Sequence, residues 1–114
     1  MSKRTQENLL TDILESSKRI QSYIANQNYE DFLKDTKTQD AVVRNLEIIG
    51  EATKNLSLEF KESIPEIPWK NIAGMRDKLI HDYFGINSDI VWGVARMNIP
   101  DLIRFIKKLN SYKT

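Results

Sequence analysis

The stretch DAVVRNLEIIGEATKNL, residues 40–56, decides the fold. Its apolar or small residues recur in a four-three-four-three spacing, at Val42, Leu46, Ile49, Thr53 and Leu56. An α-helix brings positions with this spacing onto one side, and such a stripe is typical of a helix that packs against other helices. The pattern therefore predicts a helix from Asp40 to Leu56 in an all-α protein.

The N-terminal segment repeats this helical period. Its apolar residues are Leu9, Ile13, Ile20 and Ile24, with Thr5 in position to cap the helix. A short helix from Tyr29 to Lys34 follows. Residues 63–68 contain two prolines in four positions and cannot continue a helix, so they form a connector.

The C-terminal half predicts two more helices. Pro68 suits the first turn of a helix from Trp69 to about Tyr83, which Gly85 ends. Asn87 or Ser88 can cap a fifth helix from Asp89 towards Tyr112. Pro100 lies inside that helix and should kink or break it near Met97–Ile99. The sequence thus predicts a bundle of four to five helices.

Composition limits the class of protein. The 114 residues are enough for one domain, residues 1–114, and too few for two. The chain has no cysteine, so it forms neither disulfides nor thiolate metal sites. No apolar run approaches the ~20 residues of a membrane span, and the polar start is no signal peptide. We expect a soluble cytoplasmic protein without a membrane contact. The net charge of +1 does not by itself indicate nucleic acid.

The stretch RDKLIHDY, residues 76–83, contains the only histidine of the chain. Histidine exchanges protons near neutral pH, and arginine holds anions by charge and by paired N–H donors. Tyr83 adds a hydroxyl two residues after His81. A cation, a proton carrier and a phenol within eight residues indicate phosphate chemistry.

Helical spacing separates these side chains. Asp77 and His81 are four residues apart, so the carboxylate can accept a hydrogen bond from the imidazole and fix its tautomer. Arg76 and His81 are five apart, about 140° around a helix, and do not converge easily within one straight helix. Metal-free RNA cleavage needs both a base and an acid, whereas one chain offers one imidazole. A nuclease built on this stretch should therefore be a symmetric dimer.

A structural interpretation of the same residues stands beside the catalytic one. His81 would then be a satisfied surface or interface histidine. Arg76 would bridge to Glu47 or Glu51, which are four residues apart on the third helix. Spacing alone leaves both interpretations open.

The pattern Arg76-x4-His81-x-Tyr83 resembles the signature of the HEPN superfamily, in the form found in its HepT-like toxin branch. Residues 68–75 resemble that branch's lead-in to the motif helix, and residues 44–52 resemble its third-helix segment. Residues 83–92 resemble its continuation. The similarity covers about residues 5–110, and no position of the motif departs from the pattern.

The resemblance implies a helical homodimer that acts as a metal-independent endoribonuclease, without a cofactor. It also implies the toxin of a type VII-like toxin–antitoxin pair. The partner would be a minimal nucleotidyltransferase that neutralises the toxin by attaching AMP. When the family's motif is carried over to this sequence, Arg76 and His81 are the catalytic pair, Asp77 supports them and Tyr83 accepts AMP. The alternative is a non-catalytic HEPN subunit that binds a nucleotide or the nucleotidyltransferase, with Arg76 on a phosphate.

Four cations near the C-terminus are candidates for contact with RNA phosphates. They are Arg96, Arg104, Lys107 and Lys108. Their other interpretation is that they only keep a terminal helix soluble. For metals we predict no site, because carboxylates alone remain to hold Mg²⁺ and those near the motif, Asp77 and Asp82, are better explained as orienting groups.

We predict that the protein is a homodimer whose interface runs along the motif helix, because only two chains supply two imidazoles to one cleft. Light scattering at micromolar concentration should give twice the mass of the chain, and crosslinks should map to the helix that begins at Trp69. A monomer, or an interface far from that helix, would contradict the prediction.

Overall fold

A computed structural model of the chain describes residues 5–74 and 88–112. Helices contain 85% of these described residues, and none of them lies in a strand. In chain order the elements are α1 (Gln6–Ile24), α2 (Tyr29–Lys34), α3 (Thr36–Asn55), α4 (Leu58–Glu62), α5 (described over 69–74), α6 (Ser88–Gly93), a π-helix (Val94–Asn98) and α7 (Ile99–Tyr112). The prediction of an all-α helical bundle is confirmed.

Helices α1 and α3 make the most extensive contact between any two described elements. They run antiparallel, since the Gln6 side chain at the start of α1 accepts a hydrogen bond of 2.9 Å from the Ser57 backbone N–H, just after α3. The seam between them is fully buried at Ile13, Ile20, Val42, Leu46 and Ile49. Burial of one such side chain stabilises the fold by about 1.5–3 kcal/mol. The two predicted stripes are confirmed.

Polar side chains within this core bond to their own helices. The Ser17 hydroxyl donates to the Ile13 carbonyl at 2.7 Å, and the Thr53 hydroxyl donates to the Ile49 carbonyl at the same distance. Buried hydroxyls satisfied in this way do not oppose packing. The buried Asn45 amide donates to the Ala41 carbonyl at 2.9 Å, while its Oδ1 accepts no hydrogen bond from the described residues.

The helix starts follow capping chemistry. Thr5 caps α1 as predicted, its hydroxyl accepting from the Asn8 backbone N–H at 3.0 Å. Helix α3 begins four residues earlier than predicted, because the Asp35 carboxylate accepts from the Thr38 backbone N–H at 3.0 Å. The short helix α4, which Ser57 caps, was not predicted by the hydrophobic pattern.

The last 25 described residues form one continuous helical stretch. Its middle, Val94–Asn98, is a π-helix, and the Ile99 backbone N–H bonds back five residues to the Val94 carbonyl. Pro100 follows at once and has no N–H to donate. The predicted disturbance is therefore present, as a wider turn that keeps the helix continuous instead of breaking it. Ser88, the first described residue of this stretch, is already helical, one residue before the predicted start at Asp89.

Helix α7 packs against α1, with Leu102, Ile103 and Ile106 buried. It completes a core in which α1 lies against both α3 and α7. The helices therefore surround a shared apolar interior, as the four- to five-helix bundle predicted from the spacing requires.

We expect Asp35→Ala to lower the free energy of unfolding at pH 7. Hydrogen bonds from the Thr38 side chain and backbone and from Gln27 hold the pKa of the Asp35 carboxyl below its usual 3.8. A lowered folded-state pKa means that this stabilisation is present above pH ~4 and is lost as the pH falls below it. Urea unfolding at pH 7 and at pH 3 measures the difference, with the exposed Asp40→Ala as control. Equal losses at both pH values would contradict the assignment.

Candidate functional site

The residues nominated for catalysis and modification, Arg76, Asp77, His81 and Tyr83, lie outside the described residues, as do Gly85 and Asn87. Their roles and mutual geometry stay predictions. Helix α5, on which they were predicted to lie, begins at residue 69 as expected. The Pro68 carbonyl accepts from the Ile72 backbone N–H at 3.1 Å, so Pro68 stands at the cap and its missing N–H costs nothing.

Trp69 holds the start of α5 in place. Its ring is buried, and its indole N–H donates to the carbonyls of Lys61 and Ile64 at 3.1 and 3.0 Å. The Lys61 ammonium in turn donates to the Thr53 carbonyl near the end of α3 at 3.3 Å. The start of α5 is thus tied through α4 to the end of α3.

A cavity of about 630 Å³ lies beside α5. Its walls are mainly apolar and come from α3, α5, α6, the π-helix and α7, including Ile49, Ile72, Ile90, Leu102 and Phe105. Polar groups, among them Lys70 and Asp101, are the minority of its lining. Such walls suit apolar packing better than an ionic substrate.

Glu47 and Glu51 lie on α3 at the edge of a groove of about 300 Å³ between α1 and α3. Asp12 and Arg44 line the same groove. Arg76, which the structural interpretation pairs with one of these glutamates, lies outside the described residues. That interpretation therefore stays open.

The basic residues proposed to contact RNA divide into two groups. Arg104, Lys107 and Lys108 are exposed on α7, and their spacing of three and four places them on one side of that helix. The Arg104 guanidinium forms an ion pair with Asp101 one turn earlier, so part of this charge is neutralised. An exposed pair of this kind contributes little stability.

Arg96 lies apart from these three, within the π-helix. Its guanidinium carbon is 5.4 Å from the centre of the Trp92 ring, within the range of a cation–π contact. The Trp92 ring also contacts Phe32 and Tyr29 on α2, with ring centres 5.1 and 6.2 Å away. Arg96 is therefore part of an aromatic cluster that joins α2 to the C-terminal helix.

Hydrophobic and charge patterns did not point to this cluster. The four-residue spacing of Trp92 and Arg96 was a usable signal, because such neighbours meet on a helix. The contribution of Phe32 and Tyr29 required the fold. Over the described ranges no group of three or more histidine, aspartate and glutamate side chains is arranged to hold a metal, and no helix there is long and apolar enough to span a bilayer.

Comparison with known proteins identifies the family. A family model described as ribonuclease HepT-like matches residues 13–109, which is most of the chain. The chain belongs to the HepT-like family. The matched range includes the whole stretch from Arg76 to Tyr83, together with α3 and most of α7.

Similar proteins come from archaea and bacteria. A protein of Methanocaldococcus jannaschii named as a candidate RNase is 46% identical over 96% of this chain and 90% of its own. A Thermococcus cleftensis protein named as a candidate ribonuclease HepT is 48% identical over 94% of this chain and 97% of its own. A protein of Caldanaerobacter subterraneus, also named as a candidate RNase, is 45% identical over 93% of this chain and 95% of its own. No solved structure matches this HepT-like chain.

Proposed function

We propose that this HepT-like protein is the toxin of a type VII-like toxin–antitoxin pair and a metal-independent endoribonuclease of the cytoplasm. Arg76 and His81 cleave RNA in a cleft between two copies of the chain, and Asp77 supports them. AMP attached at Tyr83 neutralises the toxin. The partner is a minimal nucleotidyltransferase.

The observation that carries this proposal is the family match over residues 13–109, inside which Arg76-x4-His81-x-Tyr83 is complete. The residue types fit the named family. An imidazole moves a proton at neutral pH, and a guanidinium binds a phosphate with two parallel N–H donors. The chain matches relatives named as candidate RNases over nearly their whole length, and these names support the same activity.

The chemistry needs no covalent enzyme intermediate. A base removes the proton of the RNA 2′-hydroxyl, and that oxygen attacks the adjacent phosphorus. The bond from phosphorus to the 5′-oxygen breaks, and an acid protonates the leaving oxygen. The products are a 2′,3′-cyclic phosphate and a 5′-hydroxyl. Arg76 stabilises the negative charge that grows on the non-bridging oxygens.

The count of histidines argues that two chains share the work. The chain holds one His, so base and acid can both be imidazoles only if a second copy contributes His81. In the described part of the chain, Trp69 ties the start of α5 to α4 and the following connector. A helix anchored at its start is a suitable element for holding catalytic groups at fixed positions across a dimer.

The basic residues of the C-terminal helix are proposed to bind RNA. Arg104, Lys107 and Lys108 are exposed on one side of α7, where they can contact phosphates, Arg104 in exchange for its ion pair with Asp101. Arg96 adds a fourth positive charge at the π-helix. Contacts of this kind position the strand and carry no sequence information.

We predict that purified protein cleaves defined RNAs in EDTA and that His81→Ala lowers the rate roughly 10²–10⁴-fold, the usual contribution of a positioned proton donor or acceptor. Arg76→Ala should lose a comparable factor. The matched control is Arg19→Ala, at an exposed arginine on α1. End-group analysis should find a cyclic phosphate, and DNA should resist cleavage because it lacks the 2′-hydroxyl.

Two outcomes would contradict this mechanism: cleavage that disappears in EDTA, and cleavage that survives His81→Ala. A folded protein that binds AMP or the nucleotidyltransferase but cleaves no RNA would instead support the non-catalytic binding subunit.

We predict that incubation with the nucleotidyltransferase and ATP attaches AMP to Tyr83 and inactivates the protein. The phenol oxygen attacks the α-phosphorus of ATP, and pyrophosphate leaves. The attached phosphate can pair with Arg76 and so competes with RNA for it. Mass spectrometry measures the addition. Tyr83→Phe should stay an active nuclease that resists modification, while the exposed Tyr23→Phe should behave as wild type. If Tyr83→Phe is neutralised as readily as wild type, control is exerted elsewhere.

A further inference from the structure

The Trp92 side chain packs at the junction of α2 and α6. Phe32, whose side chain is 0% exposed, contacts one part of the indole at a ring-centre distance of 5.1 Å. Tyr29 contacts it at 6.2 Å, with its ring tilted by 47°. Trp92 is half-buried, so the indole is anchored in the core and still reaches the surface. An aromatic ring fixed in this way loses little entropy when another flat group stacks beside it.

The Arg96 guanidinium lies over this ring. Its guanidinium carbon lies 5.4 Å from the centre of the indole, and the residue is exposed. Within the described part of the chain, the indole is thus a contact that positions this guanidinium, whereas the Arg104 guanidinium is paired with Asp101.

A guanidinium resting on an indole offers a flat cationic surface of a specific kind. Arginine is planar and stacks on aromatic groups, which the ammonium of lysine cannot do. Proteins that bind unpaired RNA stack its bases on aromatic rings and on arginine planes. A base placed on Arg96 would lie over the indole, which the buried Phe32 supports with its ring tilted by 41°.

We propose that Arg96, supported by Trp92, is a stacking site for one unpaired base of an RNA strand. This deepens the proposed nuclease function and rests on it, since it names single-stranded RNA as the substrate class. In this arrangement Arg96 contacts a base, and the phosphates are contacted by Arg104, Lys107 and Lys108. Bases inside a duplex are already stacked, so the site favours loops and single strands. It tolerates any base, because every base has a flat face.

The test measures binding in the His81→Ala background, where RNA is not consumed. Short single-stranded RNAs carry one abasic nucleotide at successive positions, and a second set carries a fluorescent purine analogue whose emission falls on stacking. Arg96→Lys keeps the charge but removes the planar surface. The matched control is Arg19→Lys, an equally conservative change at an exposed arginine of α1. Circular dichroism melting checks that each variant is folded.

We expect one abasic position to weaken binding about tenfold. Arg96→Lys should weaken binding of the intact strand by a similar factor and abolish the sensitivity to that position. It should also remove the quenching of the purine analogue. The dependence of binding on salt should change little, since the positive charge remains. Arg19→Lys should bind intact and abasic strands as the background protein does.

Unchanged binding by Arg96→Lys, or an abasic effect of equal size in both proteins, would overturn the proposal, as would a complete lack of binding to single strands. RNA cleavage by wild-type protein is assayed separately. Cleavage without an abasic signature rejects the stacking site alone, while the signature without cleavage rejects the nuclease and keeps the site.

Discussion

The seam between α1 and α3 is the contact on which the other elements depend. Ile13 and Ile20 meet Val42, Leu46 and Ile49 there with no exposed surface. Helix α7 adds to the other side of α1, and α4 turns back beneath the end of α3, where Lys61 donates to the Thr53 carbonyl at 3.3 Å. Trp69 then bonds to the Lys61 carbonyl. A chain of contacts thus runs from the apolar seam to the first turn of α5.

Periodicity predicted the parts of the fold that burial determines. The helix predicted over Asp40–Leu56 was clear because one side of it is largely apolar and buried. The true start of this helix was missed because a polar cap, Asp35, determines it, whereas the prediction used the apolar stripe. Helix α4 was also missed because it has no buried apolar side: its Leu58 is 70% exposed, so the hydrophobic pattern does not indicate a helix there. Local hydrogen bonds fix such ends, and hydropathy does not record them.

The candidate site was predictable to a smaller extent. Residue chemistry and resemblance nominate Arg76 and His81, since proton transfer and phosphate binding each require those types. Spacing could have joined Trp92 to Arg96 but not to Phe32, which lies 60 residues earlier and meets the indole only through folding. Charge counting treated Arg96 and Arg104 alike. Their surroundings differ, because one lies on an indole and the other is paired with Asp101.

The π turn also bears on how this chain can vary in length. Val91 and Ile99 are both buried although they are eight residues apart, a separation that a regular helix would turn by about 80°. Seven residues would differ by only about 20°. The wide turn therefore absorbs one extra residue and returns α7 to the phase of a shorter, regular helix. A chain without that residue, and without Pro100, would present the same sides to the core, so this is a place where one amino acid can be gained or lost in evolution without turning the helix that follows.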